Sequence, residues 1–134
     1  MKYSPVFKIY NMKDFVPYSE ALVLIILGFD EECFGLFVKD KSLLIKQMPN
    51  QQECEQYFGG ILAPTFSQAF GFFRDNFNLE PQVKSWKEKG GIVWHYSIQK
   101  IGEPSIFRSS DCAVDSHDEA QLICLQKLIE LCKK

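Results

Sequence analysis

The chain has 134 residues and a mass of 15.5 kDa, with 46% apolar and 24% charged residues, which reads as one globular domain over 1–134 and excludes whole-chain disorder, collagen and coiled coil. A chain of this size buries roughly 65–70% of its unfolded surface, and its twelve Phe predict an aromatic-rich core. Fifteen Lys and Arg against 17 Asp and Glu leave a charge of −2, which argues against bulk electrostatic binding to nucleic acid but not against a local patch.

Residues 1–16 carry few signals and suit an edge strand near Val6–Tyr10 or an N-terminal arm. The first clear helix is predicted over Ser19–Leu27, with Pro17 and Ser19 at its start and Gly28 as a left-handed stop. Two strand-like runs follow, Cys33–Val38 and Ser42–Gln47, joined by Lys39-Asp40-Lys41 as a hairpin. In the irregular stretch 48–62, Asn50 and Glu53 have the spacing to cap a short helix through Tyr57, which Gly59-Gly60 ends.

A second long helix is predicted from Pro64 to Phe77, with Phe66, Ala69, Phe70, Phe73 and Phe77 as its apolar stripe. A second hairpin pairs Gln82–Lys87 with Ile92–Gln99 around Lys89-Gly90-Gly91. In its later strand Ile92, Trp94, Tyr96 and Ile98 share one face, and Val93, His95, Ser97 and Gln99 the other, so the sheet is covered on one side only. A short strand is expected near Ser105–Arg108. The last helix starts at the capping box Ser116-His117-Asp118-Glu119 and runs to Cys132. Its apolar arc spans roughly 200°, about twice what one sheet face needs, and calls for a second contact.

The order α-ββ-α-ββ(β)-α predicts an α+β two-layer sandwich: an antiparallel sheet of about four to five strands with helices mainly on one face.

Five cysteines, an odd number without any CxxC pair, indicate reduced thiols and a cytoplasmic protein. The N-terminal residues lack the apolar core of a signal peptide. The longest apolar run, Ala21 to Leu27, is far below the about 20 residues of a membrane span.

Three stretches carry a family resemblance. They are Val16-Pro17-Tyr18-Ser19-Glu20-Ala21 through Gly28-Phe29-Asp30-Glu31 and Cys33-Phe34-Gly35, then Ala63-Pro64-Thr65-Phe66-Ser67-Gln68 through Phe72-Phe73-Arg74-Asp75, then Asp118-Glu119-Ala120 through Leu128-Ile129. Together they resemble a family of small uncharacterised bacterial proteins, some phage- or prophage-associated, patterned VPYExA…GFDExCFG, APxYQQ…WFRE and EEAxxxxLxKLIE. The resemblance implies no activity and supplies no catalytic residues. Where the family has Lys-Glu this chain has Ile25-Ile26, and where it often has Trp this chain has Phe72. Two isoleucines in place of charges make a helix face adhesive.

Candidate chemistry is sparse. His95, His117 and Cys112 lack zinc-site spacing; His117 belongs to the capping box and His95 reads as a solvent-facing strand residue. Cys33 and Cys54 sit beside glutamates, which raises rather than lowers a thiol pKa. Asp30-Glu31-Glu32 reads as a solvated loop, and Asp115, Asp118 and Glu119 as helix N-terminal charge. No P-loop, GxGxxG, GxSxG or HExxH is present. No cofactor and no metal are therefore expected.

The leading expectation is a non-enzymatic interaction or self-associating module, its contact surface drawn from Leu24, Ile25 and Ile26 on the first helix and Leu122, Leu125 and Ile129 on the last. The alternative is a nucleic-acid-binding accessory protein using the hairpin 84–100, with Lys84, Trp86, Lys87, Lys89 and Lys100 as contacts and Arg74 as an anion-binding fork. An enzyme of unrecognised type ranks third.

Overall fold

A computed structural model describes residues 12–103, 106–108 and 114–133. The expected strand near Val6–Tyr10 and the thiol of Cys112 lie outside them. After a short 3-10 turn at Met12–Asp14, helix α1 spans Tyr18–Ile26. It ends in a Schellman motif. Gly28 takes φ +110°, its N–H donates to Ile25 O at 3.0 Å, and Phe29 N–H donates to Leu24 O at 2.9 Å. The turn drives Phe29 back into the core, where it is almost fully buried.

Strands β1 (Cys33–Phe37) and β2 (Leu43–Met48) form the first hairpin, with a register shift between Cys33 and Gly35. Helix α2 (Gln51–Phe58) is capped by Asn50, whose side chain accepts from Glu53 N–H at 2.9 Å, and stops at left-handed Gly59. Strand β3 (Ile61–Leu62) then pairs with β1, giving the sheet order β2-β1-β3. Gly60 permits this pairing: a Cβ there would lie 2.0 Å from the Phe37 carbonyl oxygen.

Helix α3 (Phe66–Phe77) begins one residue after Thr65, which forms a full capping box with Gln68. Strands β4 (Leu79–Glu88) and β5 (Gly91–Lys100) form a ten-residue ribbon around the two-residue turn Lys89-Gly90, and β6 (Ile106–Arg108) adds to β5. Helix α4 (His117–Cys132) closes the fold, with Ser116 Oγ accepting from Glu119 N–H at 3.1 Å.

The fold is α+β with the expected alternation of helices and hairpins. The strands divide, however, between two antiparallel sheets, β2-β1-β3 and β4-β5-β6, rather than lying in one sheet. The region 48–62 supplies the reason: α2 and β3 complete the first sheet locally, and α3 then separates it in sequence from the second.

One core nonetheless joins the layers. Leu24, Phe29, Leu36, Leu62, Phe73, Leu125 and Leu128 belong to a single buried cluster that reaches Ile98 on β5. Phe72, absent from the predicted stripe, is its aromatic hub: it meets Phe29 and Phe73 edge-on at 5.5 Å and Phe77 at 5.7 Å. The folded-back Phe29 buries the flank of α3 that the helical stripe left open.

Candidate functional site

Each surface expected to carry function was placed by the fold. Leu24, Leu125 and Ile129 are core side chains and present no surface for a partner. Most of the wide apolar arc of α4 finds its contacts inside the chain, because α4 packs against β4, β5, α3 and α1, while Leu131 stays exposed. Ile25 and Leu122 are half-buried. Ile26 alone of the six stands out, at 74% exposure. Leu22, four residues earlier and therefore on the same side of α1, is exposed as well.

Arg74 is already engaged. Its Nε donates to Glu80 Oε1 at 2.6 Å and its second terminal nitrogen to Oε2 at 3.1 Å. Both fork positions are thus spent on β4, and the Glu80 carboxylate raises the guanidinium pKa, chiefly through this hydrogen bond. Lys100 lies 3.6 Å from Glu103.

The acidic loop is docked rather than free. Asp30 accepts from the N–H of Gln51 at 2.7 Å, at the start of α2. The Glu32 carbonyl accepts from Gln68 Nε2 at 2.7 Å, and its carboxylate accepts from Gln47. Glu31 is raised above the ordinary carboxylate range by burial first and by Asp75 second. This loop ties α2, α3 and β2 together.

Three thiols, those of Cys33, Cys54 and Cys124, are buried. Burial pushes Cys33 and Cys124 up to about 12 and Cys54 to about 11, and nearby glutamates add to the shift at Cys33 and Cys54. Such groups are poor nucleophiles at neutral pH. Among the described residues no group of three His, Cys, Asp or Glu could hold a metal ion, and no helix is long and apolar enough to cross a membrane.

The hairpin differs most from its sequence reading. The two faces separate as the alternation predicts: Val83, Tyr96 and Ile98 pack against the core. His95, however, is not solvent-facing; it is only 6% exposed. The register explains it. Lys84 lies opposite His95 and Trp86 opposite Val93, so Trp86 is the diagonal neighbour of His95 on the same face. The two rings stack, with centroids 3.6 Å apart and planes 14° from parallel.

Among the described residues neither His95 ring nitrogen has a hydrogen-bond partner, a state that costs about 1–3 kcal/mol for a buried polar group. Trp86 remains 45% exposed, and its indole N–H donates to Glu88 at 2.9 Å. Around it Lys84, Lys87 and Lys89 are exposed and form no ion pair among the described residues. The two-residue turn was the signal that would have found the stack, because closing the hairpin at Glu88 and Gly91 sets every later pair.

The described residues thus define an α+β domain with an exposed, cationic and aromatic two-stranded ribbon. Comparison with protein-family models, curated proteins and solved structures finds no match to the chain.

Proposed function

We propose that the chain is a non-enzymatic interaction module that self-associates through the outer face of α1. The observation that carries this reading is Ile26. It is the most exposed large apolar side chain among the described residues, and Leu22 extends the patch along the same helix face. Burying one such side chain contributes about 1.5–3 kcal/mol, and a two-fold contact counts it twice. The sequence resemblance to bacterial, partly prophage-associated proteins is consistent with a small accessory role, and the free, buried thiols of Cys33, Cys54 and Cys124 with a cytoplasmic one.

Light scattering across a hundredfold concentration range tests the reading. The parent chain is expected to show a concentration-dependent mass, and Ile26→Glu a monomer with an unchanged circular dichroism spectrum. A parent that stays monomeric throughout, or a variant that still associates, refutes α1 as the contact.

A further inference from the structure

We propose that the β4–β5 ribbon binds single-stranded nucleic acid, with a base stacking on Trp86 and flanking phosphates met by Lys84 and Lys89. Three features of the ribbon converge on this ligand, and none depends on self-association through α1.

The first is charge. Residues 84–92 carry three lysines and one glutamate, a local +2 on a chain whose total is −2. The lysines are free of ion pairs among the described residues, whereas Arg74 and Lys100 are matched by Glu80 and Glu103. A polyanion would therefore be drawn to this end of the hairpin. A second copy of the ribbon would bring like charge against like, which disfavours this surface as the self-association contact.

The second is the ring. Trp86 is a large aromatic left almost half exposed, and its only polar atom is already satisfied by Glu88. What it still offers is a π surface. Unpaired bases stack on such a surface without regard to sequence, and bases inside a duplex are not available to it. Lys84 shares the face of Trp86 two residues away, about 7 Å along the strand, and Lys89 stands in the turn beyond.

The third is His95. Its stacked imidazole backs the indole, which limits the ring's rotation before any ligand arrives. An imidazole whose two nitrogens have no partner among the described residues contributes here through its ring face. His95 is thus a positioning residue, acting through Trp86.

The test uses the full chain and a fluorescein-labelled dT12, with binding read by anisotropy between 50 and 200 mM salt. Binding is expected at low salt and should weaken as salt rises. With two phosphate contacts the slope of log affinity against log salt is about −1.4, and Lys84→Gln with Lys89→Gln should bring it close to zero. Trp86→Ala and Trp86→Leu should each weaken binding at least about fivefold. His95→Ala should weaken it in the same direction, while His95→Phe, which keeps a flat ring behind the indole, should restore it. In a Trp94→Phe background, where Trp86 is the remaining tryptophan, the oligonucleotide should quench its emission and heparin, which has no bases, should not.

Absence of dT12 binding at 50 mM salt overturns the proposal. So does unchanged affinity in folded Trp86→Leu, or a duplex bound as tightly as the single strand. Heparin binding that falls with Trp86→Leu as much as dT12 binding does would show a polyanion patch without stacking, and also overturns it.

Discussion

Gly60→Ala is the most demanding single test of the fold. The added methyl would lie 2.0 Å from the Phe37 carbonyl oxygen and 3.1 Å from the carbonyl carbon. Ordinary contact for such a pair begins near 3.4 Å, so the two must separate by about 1.4 Å, and the obstacle is backbone that cannot rotate away. The movement has consequences nearby. Gln51 bridges this turn, donating to Gly60 O at 3.0 Å and accepting from Leu62 N–H at 2.9 Å, and Leu62 and Ile61 pair with Leu36 and Phe37 on β1. Overpacking of this kind costs about 1–3 kcal/mol, and each of the two bridging hydrogen bonds about 1 kcal/mol more if broken. With both bonds broken the expected loss is therefore about 3–5 kcal/mol, a large share of a stability of about 5–15 kcal/mol. Urea unfolding followed by circular dichroism measures it. Gly90→Ala is the control: its Cβ meets nothing within 4 Å, and its stability should change by less than about 0.5 kcal/mol. A Gly60→Ala loss below 1 kcal/mol, or one no larger than that of Gly90→Ala, would refute the close-approach argument.

Two further outcomes follow from the side chains. A double-mutant cycle on Arg74→Ala and Glu80→Ala should give a coupling of about 0.5–1 kcal/mol, because the fork is bidentate but both groups are partly exposed; a coupling indistinguishable from zero would mean that the pair holds nothing in solution. The thiols set an alkaline limit. Cys33 and Cys124 ionise at about 12 in the fold against an ordinary value of 9, so above pH 9 the unfolded chain loses these protons first. Stability is complete below pH 9 and falls as pH rises toward 12. Urea midpoints between pH 8 and 11 should decline, and the decline should shrink in Cys124→Ala relative to that variant's own value at pH 8. Midpoints flat across that range would contradict the burial of these thiols.

Much of the architecture was legible along the chain because it rests on local chemistry. Gly28 after an apolar run, Asn50 three residues before Glu53 and Ser116 three before Glu119 each mark a helix boundary through hydrogen bonds made within a few residues. Alternation along 92–99 separated the two faces of β5, and the glutamates beside Cys33 and Cys54 showed the direction of their pKa shifts, though not the burial that dominates them. The Thr65–Gln68 box is equally local and outweighs Pro64 as the start signal, so α3 begins at Phe66, two residues later than Pro64 predicts.

What could not be read from local pattern depended on distances between residues far apart in the chain. Helical periodicity shows that α4 has a broad apolar arc, but not that sheet, α3 and α1 together cover most of it; so Leu125 and Ile129 resembled a docking surface while serving the core. The Phe29 fold-back made Phe72 a hub although it lies off the α3 stripe. Arg74, which could have served as an anion-binding fork, found its carboxylate on the next strand, at Glu80. Most tellingly, alternation placed His95 on the open face, where isolated strand geometry leaves a side chain in water, whereas the diagonal set by the tight turn laid Trp86 over it. Periodicity assigns a residue to a face; cross-strand register assigns its neighbours, and the neighbours decide whether that face is wet, buried or able to bind.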